Sequence, residues 1–79
     1  MNIQSKITEH KMILLKKGLS VTDYAKNLDI NISYANQIIN GKRSPSPKLA
    51  KKIAEFLGVD IEKIFILSVV NNYDATTKQ

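Results

Sequence analysis

The 79-residue chain has no cysteine and no tryptophan, and only one histidine, two prolines and three glycines. Without cysteine there is no disulfide, no thiolate metal site and no thiol nucleophile. His10 alone cannot build a zinc site. The apolar run Ile64 to Leu67 falls far short of the ~20 residues a membrane span needs, so no membrane partner is expected. The N-terminus, Met1-Asn2-Ile3-Gln4-Ser5-Lys6, lacks the pattern of a secretory leader, and the expected location is the cytoplasm. Histidine pairs, phosphate-binding glycine loops and metal clusters are also missing. The seven acidic residues are scattered, mostly at helix starts. Neither an enzyme nor a cofactor is expected.

What is present describes a small folded domain. Hydrophobic residues make up 43% and charged residues 24%, values typical of a globular chain. A chain of this length buries only ~60–65% of its unfolded surface, so its core is thin and a second subunit would reinforce it. The formal net charge of +5 favours a polyanionic partner.

Five helices can be read, with no convincing hairpin and no strand signal before residue 64. The first is expected from Gln4 or Ser5 to Lys17. Ile3, Ile7, His10 and Leu14 recur along it, His10 is a partly buried structural residue, and Gly18 stops the helix. The second runs from Val21 to Leu28, capped by Ser20, with Asp23 in its first turn. Asp29-Ile30-Asn31 forms a tight turn, with Asp29 tolerating a left-handed backbone. The third runs from Ile32 to Asn40, capped by Asn31 and ended by Gly41. Ser46 caps the fourth, with Pro47 in its first position. That helix buries Leu49, Ala50, Ile53 and Leu57, and Lys48, Lys51 and Lys52 form its solvated side. Asp60 is expected to cap a fifth, which buries Ile61, Ile64 and Phe65. Residues 1–70 are read as the domain and 71–79 as a loose polar tail.

The chemistry lies between Val21 and Asn40. Two short helices joined by a three-residue turn can cross steeply if their contacts are small or apolar, and Ala25, Leu28, Ile30, Ala35 and Ile38 meet that need. On the third helix, Ala35, Ile38, Ile39 and Ile32 share one side. Ser33, Asn36, Gln37 and Asn40 share the other, with Tyr34 at the border. An outward face of amides and hydroxyls without charge suits the reading of base edges, because Asn and Gln pair bidentately with adenine. Lys42 and Arg43 follow directly and could hold the phosphate backbone beside that face.

The stretches Leu19-Ser20-Val21-Thr22-Asp23-Tyr24-Ala25-Lys26-Asn27-Leu28, Ile32-Ser33-Tyr34-Ala35-Asn36-Gln37-Ile38 and Asn40-Gly41-Lys42-Arg43-Ser44-Pro45-Ser46 resemble the phage-repressor family of helix-turn-helix domains. This is the Cro and C1 type, also called the xenobiotic-response-element family. Leu57-Gly58-Val59 and Ile61-Glu62-Lys63-Ile64-Phe65 are similar to its usual close. The resemblance covers residues 5 to 66. It implies an all-α, compact five-helix lambda-repressor-like fold with the third helix in the major groove of double-stranded DNA, bound as a homodimer. By position it places base contacts on Ile32, Ser33, Tyr34, Asn36 and Gln37. Phosphate contacts fall on Asn40, Lys42 and Arg43, and at the second helix start on Ser20, Val21 and Thr22. Three residues depart from the pattern: Val21 where glutamine is frequent, Asp29 where glycine is usual, and Ile32 where a polar residue often stands.

Ile61 to Val70 is apolar nearly all round as a helix. Leu67, Val69 and Val70 are therefore expected to pair two subunits, as a helix extension or a short strand, with folding back onto the first helix as the alternative. The expected function is transcriptional regulation, most simply as a phage- or mobile-element-type repressor on a palindromic operator in the bacterial nucleoid. The other candidate is a protein-interaction module on the same fold, such as an antitoxin or accessory factor with a regulatory protein partner.

Overall fold

The computed structural model describes residues 2–68. The elements are β1 (Asn2–Ser5), α1 (Ile7–Lys16), α2 (Val21–Leu28), α3 (Ile32–Ile39), α4 (Pro47–Leu57), α5 (Ile61–Ile64) and β2 (Phe65–Ser68). The five-helix domain expected from the sequence is there, with a two-stranded sheet added to it.

That sheet corrects two expectations. Residues 2–5 do not begin the first helix; they form β1, and α1 starts only at Ile7. The alternation is that of a strand, with Ile3 and Ser5 buried and Asn2 and Gln4 exposed. The last apolar segment does not extend α5 as a helix. It turns at Phe65, whose backbone is extended (φ −131°, ψ 146°), into β2. It is the short strand given as the other option, and it folds back within the chain onto residues expected to begin the first helix: β2 pairs antiparallel with β1, Asn2 opposite Ser68 and Ser5 opposite Phe65. Lys6 N–H donates to Ile64 O at 2.7 Å and continues the ladder. The polar tail expected at 71–79 lies outside the described residues, as do Val69 and Val70.

Three of the four expected side-chain caps form, on α2, α3 and α4; Asp60 stands at the start of α5 without a capping hydrogen bond. Ser20 Oγ accepts from Asp23 N–H at 3.1 Å, and the Asp23 carboxylate accepts from Ser20 N–H at 3.2 Å, a reciprocal cap on α2. Asn31 caps α3 through Ser33 N–H, and Ser46 caps α4 through Leu49 N–H with Pro47 at the first position. Asp29 ends α2 in the left-handed region (φ 57°, ψ 46°), and Ile30 N–H donates back to Ala25 O at 3.0 Å. The same backward bond closes α3, from Lys42 N–H to Gln37 O at 2.8 Å, over a left-handed Gly41. Gly41 is favoured there by its φ of 72°, which side chains rarely adopt; a Cβ would only touch the end of the Ile7 side chain, 3.4 Å from Cδ1.

The core gathers at least one residue from every element. Ile3, Leu14, Tyr24, Leu28, Ile38, Ile39, Ile53, Leu57, Ile64 and Phe65 are buried together, with Ala25, Ala35, Ala50 and Ala54 at the close approaches. One polar chain runs through it. The Ser5 hydroxyl donates to Ile39 O at 2.8 Å and so must accept from His10 Nδ1–H at 3.1 Å. That fixes the tautomer: Nε2 is the acceptor and takes the Tyr24 hydroxyl at 3.0 Å. His10 is fully buried rather than partly so. Burial pushes its pKa down to about 4 and raises that of Tyr24. The chain ends on the last carbonyl of α3, one of the groups a helix C-terminus leaves without an internal partner. It therefore ties β1, α1 and α2 to the end of that helix.

Candidate nucleic-acid interface

α2 and α3 pack against one another with their small residues Ala25 and Ala35 buried, and α3 shows its other side to solvent. Ser33 and Asn36 are exposed, and Gln37 and Asn40 are half-buried. The ridge read from the sequence therefore exists. Ile32, assigned to the core side by helical angle, is instead 49% exposed at the start of α3 and borders the ridge. It is the first residue of α3, where the helix has only begun to enter the core.

The amides on the ridge are partly ordered by one another. Asn40 Nδ2 donates to Asn36 O at 2.8 Å and to Asn36 Oδ1 at 3.2 Å. These bonds use one lone pair of Asn36 Oδ1 and none of its amide N–H groups, so the exposed side chain keeps the donor and acceptor a base edge needs. The Gln37 carbonyl accepts two loop amides, Lys42 N–H at 2.8 Å and Arg43 N–H at 3.2 Å. The basic loop is thus folded back onto the end of α3. Lys42 shares a shallow cleft with Ser33, Asn36, Gln37 and Asn40. Arg43 lies over the Tyr34 ring, its Cζ 5.3 Å from the centroid. Beyond it, Ser44 Oγ donates to Ile3 O at 2.7 Å and accepts from Ile3 N–H at 3.1 Å, which fastens the loop to the outer edge of β1.

The start of α2 opens on the same face. Ser20, Val21, Asn36 and Asn40 line one cleft, with Lys11 of α1 beside them. Lys11 was not among the residues singled out in the sequence; it lies in a different element, and only the packing of α1 brings it here. Ser20 is engaged by its own cap, so what this helix end can offer an anion is chiefly the backbone of Val21 and Thr22. Asp23 stands in that first turn, and its pKa is lowered by the hydrogen bonds from Ser20, which keep the carboxylate charged. Lys48, Lys51 and Lys52 are exposed on α4 as expected. Leu67 is 38% exposed on β2. Among the described residues no group of acidic residues and histidines could hold a metal, and no helix is long and apolar enough to cross a membrane.

Known proteins resemble this chain in sequence and in fold. An uncharacterized HTH-type transcriptional regulator of Methanocaldococcus jannaschii is 50% identical over 62% of this chain and 74% of its own length. The uncharacterized HTH-type transcriptional regulator YqaF of Bacillus subtilis is 39% identical over 81% of this chain and 83% of its own. Virulence-associated protein A′ of Dichelobacter nodosus is 37% identical over 82% of this chain, which spans 60% of that protein. The crystal structure of a candidate DNA-binding protein from Bacteroides fragilis superimposes with a TM-score of 0.68 at 22% identity, over 81% of this chain and 98% of that one. The sequence model of the helix-turn-helix family matches residues 11–64, from α1 through the paired helices to the end of α5. The chain belongs to that family in its Cro/C1-like form, a DNA-binding domain of transcription regulators.

Proposed function

We propose that the protein binds a palindromic operator as a homodimer and represses transcription from it, as regulators of phages and mobile elements do. The observation that carries this reading is the uncharged ridge of α3 set between cations. Asn36, Gln37 and Ser33 meet base edges, with Ile32 against a thymine methyl. Lys42, Arg43 and Lys11, together with the α2 amides of Val21 and Thr22, meet phosphates on either side. Asn40 contributes by holding Asn36. Two copies of α3 would enter successive major grooves about 34 Å apart.

Selection from random duplex DNA tests the whole reading. The expected product is an inverted repeat whose half-sites lie about one helical turn apart. Gln37→Ala should then cost ~1–3 kcal/mol at one base pair of each half-site and little elsewhere. Lys42→Ala should weaken every duplex alike and reduce the slope of log K against log salt by about one unit. Equal loss on all sequences for Gln37→Ala would end its role as a reader. If no sequence is enriched, the protein-interaction reading takes over.

The segment from Leu67 onward is proposed as the subunit contact. Because β2 already pairs with β1, truncating it would destroy the sheet, and a substitution is the cleaner test. The native chain should sediment at twice its 8.9 kDa. Leu67→Lys, whose stem can lie along the strand with its charge in water, should sediment as a monomer with unchanged circular dichroism. A variant that stays dimeric moves the interface elsewhere.

A further inference from the structure

We propose that Tyr34 serves DNA binding as the residue that positions Arg43, rather than as a reader of bases. This rests on the reading of Arg43 as a phosphate contact. Tyr34 lies about 60° around α3 from Gln37, on the flank of the ridge, and its side is half-buried against the core. Its place is therefore set by packing. Arg43 comes from the far end of the helix, and its backbone is anchored by the bond from its N–H to Gln37 O at 3.2 Å. Its guanidinium carbon then sits over the ring, 5.3 Å from the centroid. A ring attracts the cation through its π face but does not neutralise it, and it takes no hydrogen bond from the edge of the guanidinium. The charge and the N–H fork stay available to a phosphate, while a long side chain that would otherwise sample many rotamers is held beside Gln37. The backbone clamp and the base reader on that flank then approach DNA as one unit. Tyr34 would meet DNA through Arg43.

A double-mutant cycle decides this, read on two fluorescein-labelled duplexes: the selected operator and a scrambled copy of it at low salt. Tyr34→Leu should weaken both duplexes about two- to five-fold. Tyr34→Phe, which keeps the ring, should bind like the native protein. In an Arg43→Ala background, Tyr34→Leu should cost nothing further. Loss that persists in that background overturns the proposal, and so does loss confined to the operator, which would make Tyr34 a reader. If Arg43→Ala itself leaves both duplexes unaffected, the phosphate reading of Arg43 falls and the proposal with it. If Arg43→Ala weakens binding but the two losses simply add, only the proposal falls. Nuclear magnetic resonance of the free native protein supplies a measurement that needs no folded variant. The Arg43 side-chain protons should be shifted upfield by the Tyr34 ring current, and unshifted protons would overturn the proposal.

Discussion

Lowering the pH from 7 to 4 should remove about 3 kcal/mol of the domain's stability, nearly all of it through His10. In the unfolded chain the imidazole titrates at its ordinary value of 6.5, whereas in the folded protein burial holds it at about 4. Between those values the unfolded state binds a proton that the folded state refuses. Stability is therefore complete above pH 6.5 and falls as the pH drops towards 4, by ~1.4 kcal/mol per unit. The hydrogen bonds point the same way. Nε2 is the acceptor for Tyr24, so a proton placed there removes the lone pair that holds the tyrosine hydroxyl. Whole-domain stabilities run at ~0.05–0.15 kcal/mol per residue, so for a chain of this size the loss is a large fraction of the total. Urea unfolding followed by circular dichroism between pH 7 and pH 4 measures it. A midpoint that does not move between pH 6.5 and 4.5 would contradict the buried neutral histidine. His10→Gln should flatten the profile over that range at the cost of lower stability at pH 7.

The same network shows where sequence reading succeeds and where it stops. Ser20, Asn31, Ser46, Asp29 and Gly41 were all placed correctly, because a cap or a left-handed stop is decided by partners two to five positions away. The outward ridge of α3 was legible for the same reason, since one helical period sorts Ala35 and Ile38 from Asn36 and Gln37. The sheet was not. Ile3 and Ile7 are four apart and read as one helical stripe, and four alternating residues are too few to outweigh it. What decides the matter is β2, at the far end of the chain, opposite Asn2 at Ser68. Lys11 and the seat of Arg43 on Tyr34 are legible only in three dimensions, because helix packing brings together residues that share no local pattern. His10 was recognised as structural, but its two partners, Ser5 and Tyr24, belong to elements whose meeting the sequence does not announce.

Phe65→Ala should destabilise the domain by ~3–5 kcal/mol, enough to unfold much of it at 37 °C. Phe65 is fully buried, and its ring meets the His10 imidazole edge-on, with centroids 5.4 Å apart at 81°. Truncation thus empties a volume next to the one polar chain in the core. It also strikes the backbone junction at which α5 gives way to β2, opposite Ser5, whose hydroxyl holds the end of α3. The thermal midpoint should fall by more than about 10 °C, given ~4–8 °C per kcal/mol for a domain of this size. A fall under about 4 °C, equivalent to less than ~1 kcal/mol, would mean that the site collapses without loss and that Phe65 is not central. DNA affinity separates this effect from a contact. Phe65 is fully buried and shows no surface to DNA, so Phe65→Ala should bind the operator weakly at 37 °C and regain near-native affinity at a temperature where circular dichroism shows it folded. Gln37→Ala should be deficient at both temperatures. That contrast tests whether the hydrophobic junction acts on DNA solely by keeping α3 in place.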